Sequence, residues 1–153
     1  LSALRSFLFN QVLTMRVTEG SWERAVPGDA LQLDGRRAWF LATPDDAEVP
    51  ARVRALDVHP TGPLWGRGPL ASADAARRLE EDCVAAYGEI CAGLERAGLE
   101  QDRRALRIRV QTLQWQWEHD DLLLSFALPA GSYATALMRE LVVADSGAAE
   151  EDA

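Results

Sequence analysis

The hydrophobic period of this chain changes near residue 100, and that change restricts it to folds that mix helices with sheet. Ala76, Leu79, Cys83, Tyr87, Ile90, Leu94 and Ala97 recur at steps of three and four, which predicts one long helix. Gly98 ends it. Beyond Gly98 the period falls to two. Leu106, Ile108 and Val110 alternate with Arg107 and Arg109, and Leu113, Trp115 and Trp117 alternate on the opposite parity. A turn or bulge near 111–112 absorbs that slip. His119-Asp120-Asp121 predicts a hairpin turn into Leu122, Leu124, Phe126 and Leu128, and Pro129-Ala130-Gly131 ends that strand. A final helix is expected over 132–143, with Ala134, Leu137, Met138, Leu141 and Val142 inward.

The first half has its own punctuation. Leu1, Leu4, Leu8, Val12 and Met15 form a helical stripe over 1–19, closed by Gly20. In 29–42, Asp34-Gly35 separates two alternating runs and predicts a hairpin. Pro50 opens a short helix that carries Val53 and Leu56. HPTGPLWGRGPL, residues 59–70, holds three prolines and three glycines and reads as a structured loop. Ser72 is the expected N-cap of the long helix, with Asp74 in its first turn. The whole reads as an α+β chain without internal repeats. One unit covers residues 1–103, strands and a helix over 104–144 belong to a second, and 145–153 form an acidic disordered tail.

Hydrophobic content of 48% and charged content of 26% suit a folded domain. No apolar run approaches the ~18 residues that a membrane span needs, and Arg5 and Asn10 interrupt any signal-like segment. A soluble, cytoplasmic monomer with no membrane partner is expected. Leu1 falls inside a helical pattern without a cap, which suggests a piece of a longer protein. The net charge is −8, and Asp145, Glu150, Glu151 and Asp152 account for half of it; 16 arginines against the remaining 20 carboxylates leave −4. That balance counts against a free-standing nucleic-acid binder, which is usually basic. All 16 basic residues are arginine. Cys83 and Cys91 lie eight residues apart in a predicted helix, too far for a disulfide, and neither has a metal-ligand neighbourhood.

Four segments together resemble the TruD family of tRNA pseudouridine synthases: SALRSFLFNQVL at 2–13, GDALQLDGRRAWF at 28–40, HPTGPLWG at 59–66 and LPAGSYATALMREL at 128–141. GLEQDRRALRIRV at 98–110 adds a weaker fifth. The resemblance implies that residues 1–103 are part of the insertion domain that interrupts the family's catalytic fold. It implies that 104–144 are the C-terminal segment of the catalytic domain. The family converts uridine 13 of tRNA to pseudouridine without a metal or redox cofactor. Its signature Gly-x-Lys-Asp, which carries the catalytic aspartate, cannot occur in a chain without lysine. The expected partners are therefore tRNA and the missing N-terminal catalytic part.

The resemblance makes Arg139 the basic residue set against that absent aspartate. A nearby guanidinium keeps a nucleophilic carboxylate ionised and oriented. The bland alternative is a solvated helix arginine. Gly131, Ser132 and Tyr133 open the last helix, where backbone N–H groups can hold an anion and the ring can stack near a base; Ser132 capping and Tyr133 core packing are the alternatives. Thr135 lies one turn before Arg139. Arg103, Arg107 and Arg109 would line one strand face and meet RNA phosphate, or face solvent. Arg5 either touches tRNA or pairs with a carboxylate. Trp115 and Trp117, although able to stack on bases, are expected in the core. His59 lacks any ligand or catalytic pattern, and His119 belongs to a turn.

Three functions follow. The first is an isomerase fragment, inactive alone, that completes a catalytic pocket. The second is a non-catalytic RNA- or protein-binding module. The third is a remnant used only for assembly.

Overall fold

A computed structural model describes residues 1–43, 45–130 and 132–141. The chain forms two compact units, one ending at Ile108 and the other beginning at Arg109. No helix among the described residues is long and apolar enough to cross a membrane.

The first unit is a four-stranded antiparallel sheet with helices packed on it. Its elements are α1 (Ser2–Thr18), β1 (Ala30–Leu33), β2 (Trp39–Leu41), α2 (Val49–Arg54), β3 (Val58–Leu64), α3 (Asp74–Val84), α4 (Gly88–Arg96) and β4 (Asp102–Ala105). The strand order is β2-β1-β3-β4. The Asp-Gly hairpin forms as expected, with Leu31 opposite Phe40 and Gln32 opposite Trp39. One apolar cluster joins Leu31 and Val58 of the sheet to Val49 and Val53 of α2. A second gathers Leu8 of α1 with Val84, Cys91 and Leu94.

The HPTGPLWG segment is not a loop. It is β3, a central and almost wholly buried strand. Proline lacks the N–H that a ladder needs, so it is normally kept out of central strands. β3 accommodates Pro60 and Pro63 by changing partners along its length. It pairs with β1 over Val58, His59 and Pro60, and with β4 from Thr61 to Leu64. Each proline thus has a strand partner on one side only, and the Pro60 carbonyl still accepts the Leu106 N–H at 2.9 Å. Gly62 lets α1 approach, because a Cβ there would lie 3.1 Å from the Phe9 ring. Gly66 passes even closer to the Glu100 carbonyl, where a Cβ would lie 2.4 Å away.

Three helical expectations shift. The apolar stripe of α1 is offset: Leu1, Leu4 and Met15 are exposed, whereas Leu8, Phe9, Val12 and Arg16 are buried. The long helix is broken, since a 3₁₀ turn at Ala85–Tyr87 separates α3 from α4, which starts at Gly88. Ser72 does not cap α3. The cap position is Ala73, and the Ser72 hydroxyl donates instead to Glu80 at 2.6 Å. β4 also pairs with β3, so residues 104–108 join the first unit rather than the second.

The second unit contains β5 (Gln111–Glu118), β6 (Asp121–Ala127) and α5 (Ala134–Leu141). β5 and β6 form a hairpin, with Glu118 opposite Asp121 and His119 in the turn at φ 58°. The expected bulge is present between Gln111 and Gln114, with Thr112 at φ 50°. Trp115 faces Leu124 and Trp117 faces Leu122, so these four side chains share one face of the hairpin. That face is not core: Trp115 and Trp117 are 67% and 63% exposed. The hairpin has no third strand among the described residues, and a two-stranded ribbon cannot bury its own faces. Gly131, residues 142–143 of the expected last helix and the acidic tail lie outside the described residues.

The two thiols are free and shielded. Desolvation raises the pKa of Cys83, with Asp82, Glu19 and Glu80 adding to the rise, and desolvation together with Glu95 raises that of Cys91. A raised pKa means less thiolate at any pH below it, and the thiolate is the nucleophile. At pH 8 both cysteines should therefore alkylate more slowly in the folded chain than in denaturant, with the gap narrowing as pH rises. Equal rates in the two states, followed by mass spectrometry, would contradict the shielding.

Candidate functional site

On the second unit, α5 presents the residues expected at the catalytic pocket. Thr135 and Arg139 stand four positions apart, a spacing that places them on one helix face, and both are exposed. Leu137 is half-buried. Arg139 has no ion-pair or hydrogen-bond partner among the described residues. Tyr133, just before the helix, is 77% exposed and is not packed into a core. Ser132 is half-buried, and its backbone N–H donates to the Pro129 carbonyl at 3.1 Å, so that group is already used within the turn. The segment thus offers a guanidinium, a hydroxyl and a phenol ring to an incoming carboxylate, phosphate or base.

The expected arginine stripe does not form. Arg103 is buried against α3. Its Nη1 and Nη2 donate to Glu80 at 2.9 and 2.6 Å, and its Nε and Nη2 donate to the Thr61 hydroxyl and carbonyl at 2.9 and 2.8 Å. A guanidinium committed in this way cannot reach an RNA phosphate. Strand pleat explains the change: Arg103 lies opposite Pro63, on the β3 face that also carries Thr61. Arg109 is exposed and begins the second unit. Arg107 is half-buried after β4, where its guanidinium donates to the Val53 carbonyl, to the Glu23 carbonyl at 3.4 Å and to His59 Nδ1 at 3.2 Å. Burial lowers the Arg107 pKa from the usual arginine value, and Glu23 opposes that shift.

His59 links Arg107 to Asp34. Its Nε2 lies 2.9 Å from the Asp34 carboxylate, so a ring protonated at Nε2 and accepting at Nδ1 satisfies both neighbours. Arg5 touches no carboxylate among the described residues. Its Nη2 donates to the carbonyls of Leu64 and Glu100 at 2.7 and 2.9 Å, tying α1 to the end of β3 and to the segment before β4. Sequence reasoning also missed Arg16, which is buried and holds Asp29 through two hydrogen bonds of 2.9 and 2.8 Å. Spacing carried a signal for both acidic-basic pairs. Glu80 sits midway between buried Ala76 and Val84, and Arg16 continues the run Leu8, Val12.

The family model for tRNA pseudouridine synthase D (TruD) matches residues 1–141. The chain belongs to the TruD family. It is 49% identical over 144 residues to the tRNA pseudouridine synthase D of Nitrosococcus oceani, covering 93% of this chain and 40% of that protein. It is 49% identical over 151 residues to that of Xanthomonas axonopodis pv. citri, covering 96% and 41% respectively. It thus spans about two fifths of the length of these curated relatives. The crystal structure of a TruD protein from Methanosarcina mazei superimposes with a TM-score of 0.66 at 24% identity, over 89% of this chain and 36% of that one, and shares the α+β fold.

Within this TruD chain, Arg103 should act on stability. Glu80→Ala leaves the Arg103 charge buried without its partner and should lower the unfolding free energy by about 3–5 kcal/mol, as read by urea denaturation. A loss below about 1 kcal/mol, within the range of exposed pairs, would mean that the pair is not buried in solution.

Proposed function

We propose that this chain is the C-terminal part of a tRNA pseudouridine synthase, acting on uridine 13, and that it is inactive alone. The observation that carries this reading is a TruD match over nearly the whole chain in a sequence without lysine, and so without Gly-x-Lys-Asp. On the family resemblance residues 1–103 then belong to the insertion domain and 104–144 to the catalytic fold, with the first few of the latter, through Ile108, packed in the first compact unit. The reaction breaks the C1′–N1 glycosidic bond, turns the base and rejoins it through C5. The target base must leave its stack, at a cost of a few kcal/mol. Arg139 would pair with the aspartate supplied by the N-terminal part, keeping it charged and aimed at the flipped nucleotide. Thr135, one turn before Arg139, and Tyr133, just before the helix, would act beside it. The exposed face of Trp115, Trp117 and Leu122 supports the same reading, because an apolar surface of this kind normally lies under a partner.

The chain alone should convert no uridine in a tRNA transcript. Expressed with a relative's N-terminal part bearing Gly-x-Lys-Asp, it should form pseudouridine. Arg139→Ala in that completed enzyme should lower turnover about a hundredfold, the scale of a misplaced catalytic group, with little change in tRNA affinity. Unchanged turnover would remove Arg139 from the active site. Conversion by the chain alone would overturn the assignment of the aspartate to the N-terminal part.

A further inference from the structure

The first unit carries a groove of about 530 Å³ that the catalytic reading does not use. Arg24 lies on one wall, in the segment after α1. Arg54 ends α2 on another, and Arg107 follows β4. Val53 and Leu56 supply apolar lining, and Glu23 is the sole carboxylate in it among the described residues. Three guanidiniums against one carboxylate is the reverse of the balance in this chain, whose net charge is −8.

The three arginines are not equivalent. Arg107 is fixed by Val53, Glu23 and His59, and the partial burial described above disfavours its charge. Arg54 has no hydrogen bond or ion pair among the described residues. Among the described residues, Arg24 uses only Nε, toward the Gly20 carbonyl at 3.4 Å, and its outer nitrogens have no partner. The groove therefore has one immobilised cation and two exposed, uncommitted ones. Like charges held together repel, and an oxyanion placed among them removes that repulsion while accepting paired N–H donors from the planar guanidinium forks. The lining carries no aromatic ring on which a base could stack. A ligand here would be held by its charged oxygens rather than by its bases.

We propose that this groove is a phosphate-binding site that holds the RNA backbone at a distance from the reacting base, an inference that rests on the tRNA reading above. Arg24 and Arg54 would close on the non-bridging oxygens, and Arg107 would set the depth of the phosphate.

The test uses the whole chain and the double variant Arg24→Ala/Arg54→Ala. Among the described residues, neither side chain makes a hydrogen bond or ion pair beyond the long Arg24–Gly20 bond. Two readouts are taken: tRNA affinity across a salt series, and the rise in Tm caused by inorganic phosphate relative to chloride at equal ionic strength. The double variant should bind tRNA about tenfold more weakly, reduce the salt slope by about two, and lose the phosphate-dependent rise in Tm. Arg77→Ala removes an exposed arginine paired with Glu81 and should change neither readout appreciably. A double variant that keeps both tRNA affinity and the phosphate effect overturns the site, as does a wild-type chain that shows neither. Loss of the phosphate effect with unchanged or absent tRNA binding overturns the RNA occupant and leaves a site for a small free phosphate. The family reading fails separately, if the completed enzyme makes no pseudouridine, whatever the groove binds.

Discussion

Glu80 and Arg103 are removed from water together, and the first unit is arranged around keeping them satisfied. Taking a carboxylate and a guanidinium out of solvent costs several kcal/mol for each ion. The cost is offset only when every remaining lone pair and N–H finds a partner. Here Ser72 donates to the carboxylate, while Thr61 supplies both its hydroxyl and its carbonyl to the guanidinium. Those partners come from α3, from the segment before it and from the middle of β3. The pair therefore fixes where the helix sits along the strands, a geometric precision that apolar contacts do not impose. Arg16 and Asp29 form a second buried pair between α1 and the residue before β1, with the Ser21 and Arg24 carbonyls also accepting from Arg16 Nη2, while the buried Arg16 Nε has no hydrogen-bond partner among the described residues.

Local chemistry made part of this fold legible. Asp34-Gly35 specified its hairpin, and the parity slip between Val110 and Leu113 specified a bulge, because turn geometry and strand period depend on near neighbours. β3 was not legible. Pro60, Gly62 and Pro63 have low strand propensity, and only the change of partner along the strand makes them tolerable. That arrangement depends on β4, some forty residues further on. Glu80 and Arg103 escaped for the same reason: each looks like a surface residue until the other is placed.

The candidate site divides along similar lines. Arg139, Thr135 and Tyr133 reached attention through the family motif, and their exposure on and beside α5 is compatible with that role. Periodicity alone misjudged Trp115 and Trp117. Alternation says that two side chains share a face, and says nothing about what covers it. The arginines illustrate the opposite case. Arg5 and Arg103 looked like ligands for phosphate, yet they are spent on carbonyls and a carboxylate, and Arg107, part of the groove described above, is held in place by three carbonyls and a histidine ring.

The pairing of β3 with β4 also sets an order of events during synthesis. Chains emerge from the ribosome at roughly 5–20 residues per second. β3 is complete when Leu64 has been added, and α3 when Val84 has. Until Arg103 follows, Thr61 and Glu80 have no guanidinium between them and one edge of β3 has no strand beside it. At that rate the stretch between β3 and Arg103 takes on the order of seconds to add. The β5–β6 hairpin has all its pairing within seventeen residues and can close in microseconds once it is made. The time taken to synthesise α3 and α4 therefore sets how long that edge of β3 stays without its partner strand.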